Sequence, residues 1–215
     1  MRTLILTFGV LIIATQVQTR ALEFDVFSIN KPSVPPTALV SFAIGYPKGW
    51  GVTQDPMQQQ QDIYFDVVTR DPGPWICTFW PTNVSPTNFA NFTIWRSYGA
   101  TAKDAANQFA ENSRKITMLA LGAYPQMNFS SVSTSAGDSG WLVESKGNWD
   151  NDKVLAKSPS EIDKLQQIRL GPTVAHDYFF HCGNKGSIRI TIMTREVDSS
   201  FRSELDKMVL QTLRF

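Results

Sequence analysis

Ser139 lies in a motif that could carry a nucleophile. Residues 135–141 read SAGDSGW and contain GDSG, the four residues that surround the catalytic serine of trypsin-like proteases. A serine nucleophile needs a base within hydrogen-bond reach, usually histidine, and a third group that orients this base. The chain has 2 histidines, His176 and His181, and either one would have to be that base.

The context of this motif argues against a protease. In chymotrypsin-like proteases the histidine precedes the serine and the motif continues as GDSGGP, whereas both histidines here follow Ser139 and Trp141 replaces the next glycine. Gly and Asp tolerate the positive φ angles that hairpin connections demand. We therefore interpret residues 136–139 as a hairpin turn. A serine hydrolase that uses Ser139 with His176 or His181 is the alternative.

Metal-capable side chains lie close together at His176, Asp177, His181 and Cys182. A zinc site needs roughly three or four such ligands that converge on one point. Because side chains alternate between the two faces of a strand, His176 and Cys182 would face one way and Asp177 and His181 the other. The pattern therefore predicts no metal site. We find no glycine loop for a phosphate-bearing cofactor, and the sequence predicts neither a cofactor nor a catalytic set.

Cysteines and tryptophans offer two further kinds of site. Cys77 and Cys182 both lie in apolar, strand-like segments and could form a disulfide in an oxidising compartment, with two buried thiols as the alternative. Most of the 6 tryptophans lie in or beside strand-like runs, where core packing explains them. Trp95 and Trp149 lie in less regular surroundings and are the candidate ligand contacts. A glycan-binding or adhesion module that uses these two tryptophans is the second alternative function.

The beginning of the chain predicts export. Met1 and Arg2 form a short positive start, residues 3–14 are largely apolar, and small or polar residues follow. This apolar run is shorter than the roughly 20 residues of a permanent membrane span, so residues 1–21 are predicted to be a cleaved signal peptide. Thr19-Arg20-Ala21 has small residues at the spacing of a cleavage site, and Ala14-Thr15-Gln16 is an alternative. We expect an extracytoplasmic protein, either periplasmic or secreted.

The overall charge of the chain does not indicate a particular kind of partner. The chain has 20 Lys and Arg against 19 Asp and Glu, a formal net charge of +1, so no strong field favours nucleic acid or an anionic membrane surface. We expect the partner to be a protein or an envelope component, which includes peripheral attachment at a membrane, and not nucleic acid.

The side chains named above must be positioned by alternating strands and helices. Residues 22–37 end in a proline-rich stretch and are predicted to be an irregular lead-in, and residues 81–96, rich in Asn, Thr and Pro, are predicted to be an insertion loop. Helices are predicted from the capping box at Thr101, from Ser158 and after an Asp198 cap. Strands are predicted at 40–46, 50–53, 62–69, 75–80, 127–134, 140–146, 174–182 and 187–194. Hairpins between adjacent strands give an antiparallel sheet, so residues 38–215 are predicted to form one α+β domain.

Five segments together resemble the PsbP-like superfamily, which includes the extrinsic oxygen-evolving-complex protein and bacterial periplasmic DcrB-type proteins. They are Gly45-Tyr-Pro-Lys-Gly-Trp50, the run Asp62-Ile-Tyr-Phe-Asp-Val-Val, the capped helix from Thr101, the hairpin with Gly140-Trp141, and the closing Thr212-Leu-Arg-Phe215. The resemblance implies an antiparallel sheet flanked by helices on both faces, an αβα sandwich. It also implies a non-catalytic role, often docking on a membrane or a protein assembly.

The resemblance transfers no ion-binding residues, because no matching motif is present. The chain has Thr212-Leu213 where the family commonly has a Ser-Phe pair, and residues 81–96 are extra. The sequence therefore predicts an exported, non-catalytic binding or assembly protein of PsbP-like type.

Overall fold

The structure, a computed structural model, describes residues 22–29, 41–54, 75–82, 90–97, 99–121, 126–149, 171–181 and 187–215. Within these ranges the chain forms β1 (Phe24–Ile29), β2 (Phe42–Pro47), β3 (Gly51–Gln54), β4 (Trp75–Trp80), β5 (Ala90–Ser97), α1 (Ala102–Leu121), β6 (Gln126–Ser133), β7 (Ser139–Trp149), β8 (Gly171–His181), β9 (Ser187–Arg195) and α2 (Ser199–Thr212). The predicted signal peptide, the strand at 62–69, the helix from Ser158 and the turn at 183–186 lie outside the described residues.

Most of these strands form one antiparallel sheet. It has 7 strands in the order β3-β4-β5-β9-β8-β7-β6, and every neighbouring pair is antiparallel. On either side of the centre of the sheet, neighbouring strands are consecutive in the chain. At the centre, β5 pairs with β9, and Ala90 lies opposite Thr194. The predicted α+β class with an antiparallel sheet is confirmed.

The two described helices contact side chains that alternate along β8. Tyr178 and Phe180 belong to the core that packs against α2, whereas Phe179 belongs to the cluster beneath α1. Since neighbouring side chains of a strand point to opposite faces, Phe179 points away from the face that carries Tyr178 and Phe180. The largest fully buried side chains on the α2 face include Phe79, Phe92, Ile94, Phe180, Ile188, Ile190, Ile192 and Leu205. Each such side chain stabilises the fold by about 1.5–3 kcal/mol relative to an exposed one.

A smaller sheet packs beside α2 on the same face. β1 and β2 pair antiparallel, and Ala43 of β2 exchanges two backbone hydrogen bonds of 2.9 Å with Arg214. The prediction of an irregular segment at residues 22–37 is therefore wrong for Phe24–Ile29. The ring of Phe27 packs edge-on against Phe79 at 5.5 Å between centroids, and this contact with the main core holds β1 in place. The prolines that suggested irregularity come after β1.

The segment Pro47–Trp50 forms the predicted tight turn. Gly49 has φ of +80° and the Trp50 N–H donates to the Pro47 carbonyl at 3.1 Å. The turn does not close a hairpin, because β2 belongs to the small sheet and β3 to the edge of the large one. The general expectation that adjacent strands form hairpins fails here, since the strands on the two sides of the turn belong to different sheets.

The predicted insertion loop at residues 81–96 contains a central strand. β5 begins at Ala90 and lies between β4 and β9, with Phe92 and Ile94 fully buried. The loop prediction is therefore wrong for residues 90–96. The composition of this segment, rich in Asn, Thr and Pro, favours a loop. Its apolar residues at every second position favour a strand, and that pattern is the stronger indicator.

The helix starts differ in how they are capped. The Thr101 hydroxyl donates to the Asp104 carboxylate at 2.8 Å and accepts from the Asp104 N–H at 3.1 Å, so the predicted capping box of α1 is confirmed. Asp198 precedes α2, but its side chain makes no capping hydrogen bond. Its two carboxylate oxygens instead accept from Arg195 at 2.7 and 2.8 Å, so the predicted side-chain cap is wrong.

Candidate functional site

A groove of about 470 Å³ lies between the N-terminal end of α1 and the ends of β6, β7 and β8. We call it the α1 groove. Its described lining residues are Thr101, Ala102, Lys103, Ser131, Val132, Ser133, Ser139, Gly140, Trp141 and His181. The register of the hairpin sets its floor, because Ser131 lies opposite Trp141 and Ser133 lies opposite Ser139. Alternation then turns these four side chains to the same face.

The helical wall of the groove is basic. The Lys103 ammonium lies 5.0 Å from the centroid of the Trp141 ring, within the range of a cation–π contact. Among the described lining residues the ionisable side chains are Lys103 and His181, and none is Asp or Glu. Asp104, next along the helix, is held by Thr101 in the capping box and does not line the groove.

The GDSG motif lies at the tip of the β6–β7 hairpin, as predicted. The Thr134 hydroxyl donates to the Asp138 carboxylate at 3.0 Å and accepts from the Asp138 N–H at 3.1 Å. Gly137 has φ of +93°, the left-handed region that glycine adopts without strain. Asp138 therefore stabilises the turn, and Ser139 begins β7 as an exposed residue paired with Ser133.

This turn also caps the C-terminal end of α2. The Ser135 N–H donates to the Leu210 carbonyl at 2.8 Å, and the Ser135 hydroxyl donates to the Gln211 carbonyl, also at 2.8 Å. The last carbonyls of a helix have no partner within the helix, so these two bonds satisfy groups that would otherwise need water. Arg214 donates to the same Ser135 hydroxyl at 3.1 Å. Ser135, two residues before the GDSG motif, thus joins the hairpin to the helix.

Ser139 and His181 both line the α1 groove. Gly140 pairs with Phe180, which places Ser139 and His181 next to each other at the ends of β7 and β8. The His181 Nδ1 atom lies 3.2 Å from the hydroxyl of Ser187, a buried residue. The structure thus brings together two of the groups that a hydrolase requires, without a carboxylate among the described lining residues.

His176 lies on the opposite face of β8 and connects the sheet to α2. Its Nδ1 atom is 2.9 Å from the nearer Asp206 carboxylate oxygen, and its Nε2 atom is 3.2 Å from a Glu144 oxygen. Burial lowers the pKa of His176, but the hydrogen bond and charge of Asp206, together with Glu144, outweigh burial and raise it. His176 is therefore an ion-pair partner rather than a base for Ser139.

The predicted alternation is observed for His176 and Asp177. Asp177 is buried on the α1 face, where the Thr191 hydroxyl donates to it at 2.6 Å and the Arg189 Nε atom lies 3.8 Å away. Burial raises the pKa of Asp177, while the Arg189 charge and the Thr191 hydrogen bond act in the opposite direction. Within the described residues there is no group of three His, Cys, Asp or Glu side chains placed to hold a metal ion.

The tryptophans predicted as ligand contacts lie in strands. Trp95 is half-buried in β5, and the Arg189 guanidinium lies 5.0 Å from its ring centroid. Arg189 also lies 4.7 Å from the Phe109 ring, so it fills the space between these two rings. Trp149 ends β7 opposite Gly171, and its side chain lies outside the described residues. The prediction that both positions are irregular is wrong.

Cys77 is buried in β4, and burial raises the pKa of its thiol. Cys182 lies outside the described residues. The Cys77–Cys182 disulfide therefore stays a prediction.

Sequence reasoning did not find the α1 groove. The sequence assigns no role to Lys103, and it places Trp141 only in the comparison with proteases and in the PsbP-like hairpin. Their meeting depends on how α1 packs on Val143 and Phe179. One local pattern does indicate the groove. Small polar residues on the outer strand β6 leave open space beside the large side chain of Trp141.

No helix within the described ranges is both long and apolar enough to cross a membrane. No family model matches the chain, and no curated protein matches it. A solved structure that is similar to it is the solution structure of cyanobacterial PsbP (CyanoP) from Synechocystis sp. PCC 6803, at 12% sequence identity and a TM-score of 0.47. That similarity covers 92% of this chain and 95% of the other. A likeness at this level transfers neither an activity nor a partner.

Proposed function

We propose that the chain is an exported, non-catalytic binding or assembly protein of PsbP-like αβα type, which binds a protein or an envelope component outside the cytoplasm. The observation that carries this proposal is the engagement of the reactive side chains in structural contacts. Asp138 stabilises a turn, His176 joins Asp206 and Glu144, and Asp177 is buried beside Arg189. The described surface includes the α1 groove, whose lining residues supply hydroxyls, an imidazole and an ammonium group.

A serine hydrolase is the second candidate, because Ser139 and His181 line the same groove. Labelling with a fluorophosphonate probe separates the two functions. We expect no labelling of the native chain and no difference between it and a Ser139→Ala variant. Stoichiometric labelling that is lost in both Ser139→Ala and His181→Gln would establish the hydrolase and refute the non-catalytic proposal. The glycan-binding alternative is not proposed further, because the Arg189 guanidinium already lies against the ring of Trp95.

Export is tested separately by N-terminal sequencing of the mature chain from the extracytoplasmic fraction of the native cell. The expected mature chain starts at Leu22, after a signal peptide of residues 1–21. A chain recovered only from the cytoplasm with Met1 intact would contradict the proposed location.

A further inference from the structure

The α1 groove carries a positive charge in a chain that is nearly neutral overall. The formal net charge of the chain is +1 with the histidines counted as neutral, and among the described lining residues the charged side chain is Lys103, while His181 adds an imidazole and none is Asp or Glu. The groove is therefore suited to a negatively charged group.

The remaining lining residues supply donors for the oxygens of such a group. Ser131, Ser133 and Ser139 are exposed on the groove floor, and each hydroxyl can donate one hydrogen bond. A carboxylate or phosphate accepts hydrogen bonds only, and charge-assisted bonds from an ammonium group are about twice as strong as neutral ones. The Trp141 ring beside Lys103 offers an apolar surface for the remainder of a ligand.

From this arrangement we infer that the α1 groove binds a small ligand that carries an oxyanion, a carboxylate or a phosphate group. The oxyanion lies between the Lys103 ammonium and the serine hydroxyls, and the body of the ligand packs beside Trp141. This inference rests on the proposed binding function, and it names the chemistry that the groove recognises.

The test is a titration of the whole chain with inorganic phosphate, with sodium acetate and with neutral galactose, followed by amide chemical shifts in two-dimensional NMR. Phosphate or acetate is expected to shift the amides of Lys103, Ser133, Gly140 and His181, and galactose is not. Lys103→Met keeps the aliphatic stem and is expected to weaken the binding of the preferred anion by about tenfold. Lys115→Met, an exposed lysine on the same helix outside the groove, should change it less than about twofold.

The inference is overturned if neither anion shifts the groove amides, if galactose shifts them as strongly, or if Lys103→Met binds like the unchanged chain. These failures are distinguishable from failure of the proposed function. If neither anion binds and the fluorophosphonate probe does not label the chain, the proposed ligand class is refuted but the proposed non-catalytic function is not. If the probe labels Ser139, the proposed non-catalytic function is refuted, whether or not the anions bind.

Discussion

Replacement of Asp206 by asparagine tests whether the Asp206–His176–Glu144 cluster holds α2 on the sheet. The side chains of His176 and Asp206 are 12% and 18% exposed, so solvent screens their attraction only slightly. A hydrogen bond that involves a charged group contributes about 1.5–3 kcal/mol. Asparagine keeps the shape of the side chain but loses the charge. We expect Asp206→Asn to lower the free energy of unfolding by about 2 kcal/mol when His176 is protonated.

The effect should depend on pH, because the folded state raises the pKa of His176. The unfolded chain has a histidine pKa of about 6.5, so this contribution is fully present below that value and is lost as the pH rises through the folded pKa. Urea unfolding followed by tryptophan fluorescence should therefore give a cost of about 2 kcal/mol at about pH 5.5 and less than about 1 kcal/mol at about pH 9.

The matched control is Glu204→Gln, an acid-to-amide change on the same helix that touches none of the His176 contacts. It is expected to change the free energy of unfolding by less than about 0.5 kcal/mol at either pH. A double-mutant cycle with His176→Gln should give a coupling of about 1–2 kcal/mol at about pH 5.5. The reasoning is refuted if Asp206→Asn costs the same at both pH values, or if it is indistinguishable from Glu204→Gln.

Three further predictions concern the local structure. Thr101→Ala removes the capping box with Asp104 and should cost about 1 kcal/mol in urea unfolding, and a cost near zero would show that the cap is energetically idle. Gly137→Ala meets no nearby atom but forces an alanine to φ of +93°, so it should cost about 1–2 kcal/mol, whereas Gly147→Ala in β7 should cost less than about 0.5 kcal/mol. Cys77 should react with a thiol reagent only after unfolding, since burial raises the pKa of its thiol; absence of reaction even in denaturant without reductant would instead indicate the disulfide.

The parts of the fold that the sequence predicted are those encoded by neighbours along the chain. The capping box needs only Thr101 and Asp104, and the β6–β7 hairpin needs a turn sequence between two alternating runs. Both were therefore readable from local patterns. The site depends on residues that are far apart in the chain, such as Lys103 and Trp141, and no local pattern encodes their approach.

Distant pairing also explains the wrong predictions. β5 is a central strand because β9 pairs with it, although its Asn-rich surroundings favour a loop. β1 is ordered by packing against Phe79, which belongs to the other sheet. Asp198 has the right type and position for a helix cap, but Arg195 is a competing partner three residues away that sequence reasoning did not weigh. In each case a tertiary or side-chain contact overrides a correct local preference.

The junction of β5 with β9 has a consequence for how the molecule forms. Its partners, such as Ser97 and Ser187, are 90 or more residues apart, whereas the pairings on either side join consecutive strands. Two local meanders can therefore form early, and their union requires the closure of a long loop, which slows folding. A nascent chain that has not yet reached Ser187 would carry the apolar strand β5 with one edge unpaired. Such an intermediate is prone to aggregate, and a chaperone that shields this edge during synthesis would raise the yield of folded protein.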